Sequence, residues 1–168
     1  VFYDVTGKEG LVNVQTKDIE ITGDVKMVSS NGYVFRTNKM NYIADSRRIV
    51  TRDPVEVRGG QGKGESPTEI LGRGAEASLN TNQIQIEHDV RSKKQLESGD
   101  WVYIESQRVE LSSVNKFAKY LGEVTIDYKG SRITGPSARF DYDDKSKAVS
   151  SLLVEGGGAT GGLGRRCA

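Results

Sequence analysis

The run Tyr120-Leu121-Gly122-Glu123-Val124-Thr125-Ile126-Asp127-Tyr128-Lys129-Gly130-Ser131 decides the reading of this chain. Tyr120, Gly122, Val124, Ile126 and Tyr128 share one phase; Leu121, Glu123, Thr125 and Asp127 share the other. Successive side chains of a strand leave opposite faces, so this alternation describes a strand with one buried and one wet face. Tyr128 to Ser131 then reads as a turn. The next strand repeats the pattern, with Ala138, Phe140 and Tyr142 set against Arg139, Asp141 and Asp143.

The same period runs upstream. Ala75, Ala77 and Leu79 alternate with Glu76, Ser78 and Asn80, and Ile84, Ile86, His88 and Val90 alternate with Gln85, Glu87 and Asp89. Turns are expected at Ser29-Ser30-Asn31-Gly32, where Asn-Gly favours a tight hairpin, at Asp45 to Arg48, at Asn80 to Asn82 and at Asp143 to Ser146. Gly59 to Pro67 reads as a Gly-rich loop. Ser112 to Leu121 has a faintly helical look, but its neighbours predict a hairpin. A weak repeat places Val25, Val55, Val90 and Val124 at offsets of about 30–35 residues, as stacked units sharing one core would require. The tail from Gly156 has few side chains able to pack and is expected to be flexible.

Composition agrees. Val plus Ile number 27 against 9 Leu and 8 Ala, the balance of a pleated surface rather than of helices. The chain has 168 residues, enough for one domain and hardly two. Its net charge of +1 lacks the basic excess of a nucleic-acid binder. One cysteine, Cys167, excludes an internal disulfide and a cysteine-built zinc site, and one histidine, His88, excludes a site needing two imidazoles. The longest apolar run is Trp101 to Ile104, too short for a membrane span.

Candidate chemistry is thin. Asp141, Asp143 and Asp144 cluster at a turn, but an acid–base pair needs burial to separate its pKa values. Gly59-Gly60-Gln61-Gly62-Lys63-Gly64 lacks the Lys-Ser/Thr ending and the following helix of a phosphate cradle. His88 reads as a partly buried strand residue. No catalytic group, metal site or cofactor is expected. The interior phase says more: Tyr42, Leu79, Ile84, Ile86, Tyr103, Val109, Leu111, Val124, Ile126, Phe140 and Tyr142 collect on it. They form either a plain core or an apolar trough that admits lipid, since both use the same residues.

Two stretches carry a resemblance. Asn31 to Tyr42 followed by Ile49 to Val57, with the pattern Gly-x-x-x-Arg-Thr … Tyr … Ile-x-Thr-x-x-Pro-Val, resembles the LptC family. Gly72 to Ala77 and His88-Asp89-Val90 look like its next elements. Tyr120 to Ile126, Ala138 to Tyr142 and Val154 to Gly157 are similar to the LptA (OstA-like) repeat. The resemblance implies an all-β, open twisted antiparallel β-jelly-roll over residues 1–157, LptC-like at about 20–95 and LptA-like at about 98–157, followed by a tail at 158–168. It implies a non-enzymatic periplasmic protein that passes lipopolysaccharide from an inner-membrane ABC transporter toward the outer membrane. The interior residues above would contact acyl chains, and edge strands would pair with other jelly-roll domains. LptC normally begins with a membrane anchor; the chain starts at Val1 without one, so any tether is expected upstream. The rival readings are a structural or adhesin-like β-repeat with a dry core and, last, a carbohydrate-active enzyme.

Overall fold

The computed structural model describes residues 2–60, 67–112, 114–142, 149–155, 158–160 and 166–167. They form β1 (Tyr3–Thr6), β2 (Glu9–Val12), β3 (Ile19–Ser29), β4 (Val34–Ile43), β5 (Arg48–Gly59), β6 (Thr68–Ser78), β7 (Gln83–Gln95), β8 (Trp101–Ser106), β9 (Arg108–Ser112), β10 (Phe117–Tyr128), β11 (Ser131–Tyr142), β12 (Val149–Glu155), β13 (Gly158–Thr160) and β14 (Arg166–Cys167). Every pairing is antiparallel and all strands lie in one sheet, an open twisted β-jelly-roll in meander order.

The turns fall where the sequence places them. Gly32 (φ 89°), Arg47 (φ 51°), Asn82 (φ 53°) and the pair Lys129 (φ 47°) and Gly130 (φ 76°) take the left-handed backbone that tight hairpins need. Ser112 pairs with Phe117, so the faintly helical stretch is a hairpin. The expected turn at Asp143 to Ser146 and the centre of the Gly59–Pro67 loop lie outside the described residues.

The long strands are bent. Pairing registers shift at Thr22/Val25, Thr51/Pro54, Leu71/Arg73 and Leu121/Val124. Gly23, Asp24, Gly74, Asp89, Gly122 and Glu123 all have positive φ at these breaks. An extra residue on one strand kinks it and increases its twist. The repeated valines mark these corners: Val25, Val55, Val90 and Val124 are each buried just past one. β8 and β9 are one strand cut at Gln107, since β7 and β10 each pair with both.

Bent along this row, the sheet makes two layers that face each other. One layer holds residues 39–43, 48–51, 75–78, 83–86, 108–112, 117–121 and 137–142. The other holds 25–29, 34–37, 54–59, 68–71, 90–95, 101–106 and 124–128. Ser92 and Tyr120 hydrogen-bond across the gap at 2.7 Å, and the Lys94 ammonium lies 4.8 Å from the Tyr142 ring centre. Between the layers sit a main core around Ile86, Val109, Ile126 and Phe140 and a smaller one of Val25, Met27, Met40, Ile49 and Ala77, with Phe35 packed against both.

Two expectations need correction. The Gly-rich tail was expected to stay unpacked, yet β13 pairs with Arg132–Thr134 of β11, and β14 pairs with Leu152 and Leu153 of β12. Backbone hydrogen bonds along a sheet edge suffice for this pairing, with no apolar side chain required. His88 is exposed rather than partly buried, because it stands at a corner of β7 beside Asp89 (φ 53°), where the alternation breaks.

Candidate lipid cleft

Among the described residues the two layers leave a space between them at the ends of their strands. A cleft of about 100 Å³ opens there, opposite the row of corners. Tyr33 and Phe35 of the β3–β4 hairpin, Ile70 of β6 and Tyr3 of β1 line one side; Ile84, Leu111, Phe117 and Tyr142 line the other. A smaller apolar void of about 30 Å³ lies deeper, and Phe35 and Ile84 belong to both walls. It reaches Thr37 and Thr51 near the corner. There Thr37 donates its hydroxyl to the Pro54 carbonyl at 2.9 Å, so the inner end carries satisfied polar groups.

The mouth is aromatic and polar. Burial raises the Tyr3 hydroxyl pKa. Burial first, then the neighbouring Tyr120, Tyr33 and Asp141, raise that of Tyr142 well above its usual value. Burial pushes Tyr120 up to about 12, against the hydrogen bond from Ser92. All three phenols therefore stay neutral at ordinary pH. Lys94 is 7% exposed, and its ammonium donates to Thr68 Oγ1 at 3.0 Å.

The residues expected on the interior divide into groups. Ile84, Leu111 and Tyr142 line the cleft, and Ile84 and Ile86 line the deeper void. Val109, Val124, Ile126 and Phe140 are packed in the main core and line neither. Leu79 and Tyr42 pack against the smaller core, and Tyr42 also flanks an open groove beside Leu11 and Val12 of β2. Tyr103 is a correction: it is 52% exposed on the outer face, opposite Lys93 and Asp127, while Val102 and Ile104 point inward. The run Trp101 to Ile104 is apolar in both phases, so its alternation cannot choose a side.

Sequence reasoning missed Tyr3, Phe35, Phe117, Lys94 and Lys116 as wall or rim residues. For Lys94 a signal existed. Val90, Ser92 and Lys94 share one phase, which carries the lysine inward after a buried valine. Among the described residues no three His, Cys, Asp or Glu side chains converge to hold a metal.

Fold and cleft together define an all-β jelly-roll with an apolar interior open along one seam. Residues 2–66 match the LptC family, described as lipopolysaccharide-assembly, LptC-related. The match covers the same stretch, Asn31 to Val57, that carries the resemblance in sequence. No curated protein matches the chain. A similar solved structure is that of LptH from Pseudomonas aeruginosa, described as the LptA homologous periplasmic component of the conserved lipopolysaccharide transport device. It is 9% identical, with a TM-score of 0.36, and the match covers 88% of this chain and 79% of that one.

Proposed function

We propose that this protein carries lipopolysaccharide across the periplasm, holding acyl chains in the cleft between its two layers. The observation that carries the reading is an apolar cleft open at the strand ends of a chain whose residues 2–66 are LptC-related. Each acyl CH₂ left in water costs about 0.8 kcal/mol, so a lipid with many such groups needs a shielded route. An open seam shields a chain and lets it slide, whereas a closed barrel would trap it. Residues 1–157 act as one continuous body, LptC-like over about 20–95 and LptA-like over about 98–157.

The body works as one segment of a protein bridge. Lipid arrives from an inner-membrane ABC transporter, which supplies the energy, and leaves toward the outer membrane. A neighbouring jelly-roll domain adds its strand to a free sheet edge, as β2 offers. A tether upstream of Val1 would hold the bridge at the inner membrane. The second reading is a dry structural β-repeat, favoured by the complete burial of Ile86, Val109 and Ile126.

Photo-crosslinking to lipopolysaccharide decides between them. Probes at Ile84 and Phe35 are expected to crosslink, competed away by unlabelled lipid, while a probe at Tyr103 on the outer face stays silent. Silence at both cleft positions in folded protein would favour the dry module.

A further inference from the structure

The cleft is narrow, and among the described residues the charged side chain lining it is a lysine. A cavity of about 150 Å³ holds a single benzene, so a space of about 100 Å³ admits one chain end and not a bundle of chains. Among the described residues its lining contains one charged side chain, Lys116, and no carboxylate. Directly behind the lining lies Lys94, held between two residues that themselves form the wall, Thr68 and Tyr142. An ammonium kept this deep is poorly screened by solvent, so its field is strongest where the cleft opens. Asp141, the acid next to Tyr142 in sequence, is turned outward and ion-paired to Arg139 at 3.0 Å. The rim also holds Asn82, whose Oδ1 is sheltered from solvent with no hydrogen-bond partner among the described residues, an acceptor waiting for a hydroxyl or amide donor.

Building on the transport reading, we infer that the cleft holds one acyl chain at a time, tail between Phe35 and Ile84, with an anionic head group at the mouth against Lys116 and Lys94. Phosphate and carboxylate share the chemistry required. The head could belong to a free fatty acid or to one chain of a larger phosphorylated lipid.

Calorimetric titration of the full chain with dodecyl phosphate, dodecanoate, dodecyl maltoside, dodecyltrimethylammonium and inorganic phosphate, all below micelle formation, tests this. At least one of the two anionic amphiphiles is expected to bind at least about tenfold tighter than the neutral and cationic ones, the order of a charge-assisted hydrogen bond. Which of the two binds tighter separates a phosphorylated lipid from a fatty acid. Lys116→Glu, at an exposed turn position, is expected to abolish the preference while leaving the far-ultraviolet spectrum unchanged. Lys94→Met is expected to do the same; if that buried site does not fold when altered, Lys116→Glu decides alone. Equal binding of dodecyl maltoside, equally tight binding of inorganic phosphate, or a preference that survives Lys116→Glu overturns the inference. If no single-chain amphiphile binds while lipopolysaccharide still crosslinks at Ile84, the inference falls and the transport reading stands. If dodecyl phosphate binds with the stated preference and lipopolysaccharide does not crosslink, the transport reading falls and the anionic single-chain site stands.

Discussion

Tyr120 shows how one side chain ties the layers together. Its ring packs edge-on against Phe140 at 5.7 Å, and its hydroxyl shares a 2.7 Å hydrogen bond with Ser92 on the facing layer. Removing that hydroxyl leaves Ser92 unpaired in a buried setting, so Tyr120→Phe is expected to cost roughly 1–2 kcal/mol in urea unfolding. The pH dependence follows from the same burial. The folded-state pKa of about 12 lies above the ordinary value of 10, so the stability Tyr120 confers is full below about pH 10 and is lost as pH rises toward 12. Tyr120 by itself contributes a slope of about 1.4 kcal/mol per pH unit in that window, to which Tyr142 adds its own. Tyr120→Phe should flatten it in part, with Tyr142 supplying the remainder. In the main core, Ile126→Ala is expected to cost roughly 2–4 kcal/mol, because the fully buried site leaves a cavity when truncated.

The corner is the element that turns a flat meander into a cleft. Gly122 (φ 79°) takes the left-handed conformation, and a Cβ placed there would stand 2.5 Å from Gln107 Oε1 and 2.9 Å from Gln107 Cβ. Gly130 (φ 76°) has a similar backbone in a turn but open space around it. Gly130→Ala is therefore expected to cost about 1 kcal/mol, and Gly122→Ala roughly 2–3 kcal/mol, measured by thermal unfolding. Equal costs would mean the contact with Gln107 relaxes freely. The edge strand β2 gives the opposite case. Leu11 is 70% exposed, and Val12 and Val14 are exposed beside it. Leu11→Lys with Val14→Lys is expected to change stability by no more than about 0.5 kcal/mol each while blocking strand addition by a neighbouring jelly-roll domain, read by analytical ultracentrifugation.

At the scale of the molecule, the two cores differ in size and, among the described residues, are joined by Phe35 and by the wall of the deeper void. The smaller core, bounded by the edge strands β1 and β2, is expected to open first. Hydrogen exchange should release amides of β3 and β4 well before those of β7, β10 and β11, which should exchange only with global unfolding. Much of this architecture was legible in the sequence. Alternation named the strands, Asn-Gly and Lys-Gly named the turns, and the repeated valines foretold a recurrent unit, because side-chain phase and left-handed turn backbone are local properties. That the valines follow corners was hidden, since a bulge is set by the register between two strands and not by either alone. Which interior residues face a space and which face each other was hidden for the same reason: Ile84 and Ile126 have the same phase and hydrophobicity, yet one lines the cleft and the other fills the core. Local pattern determined the sheet and its inner face; only the folding of that sheet on itself decided where the inner face stays open, because an opening is made by the distance between layers far apart along the chain.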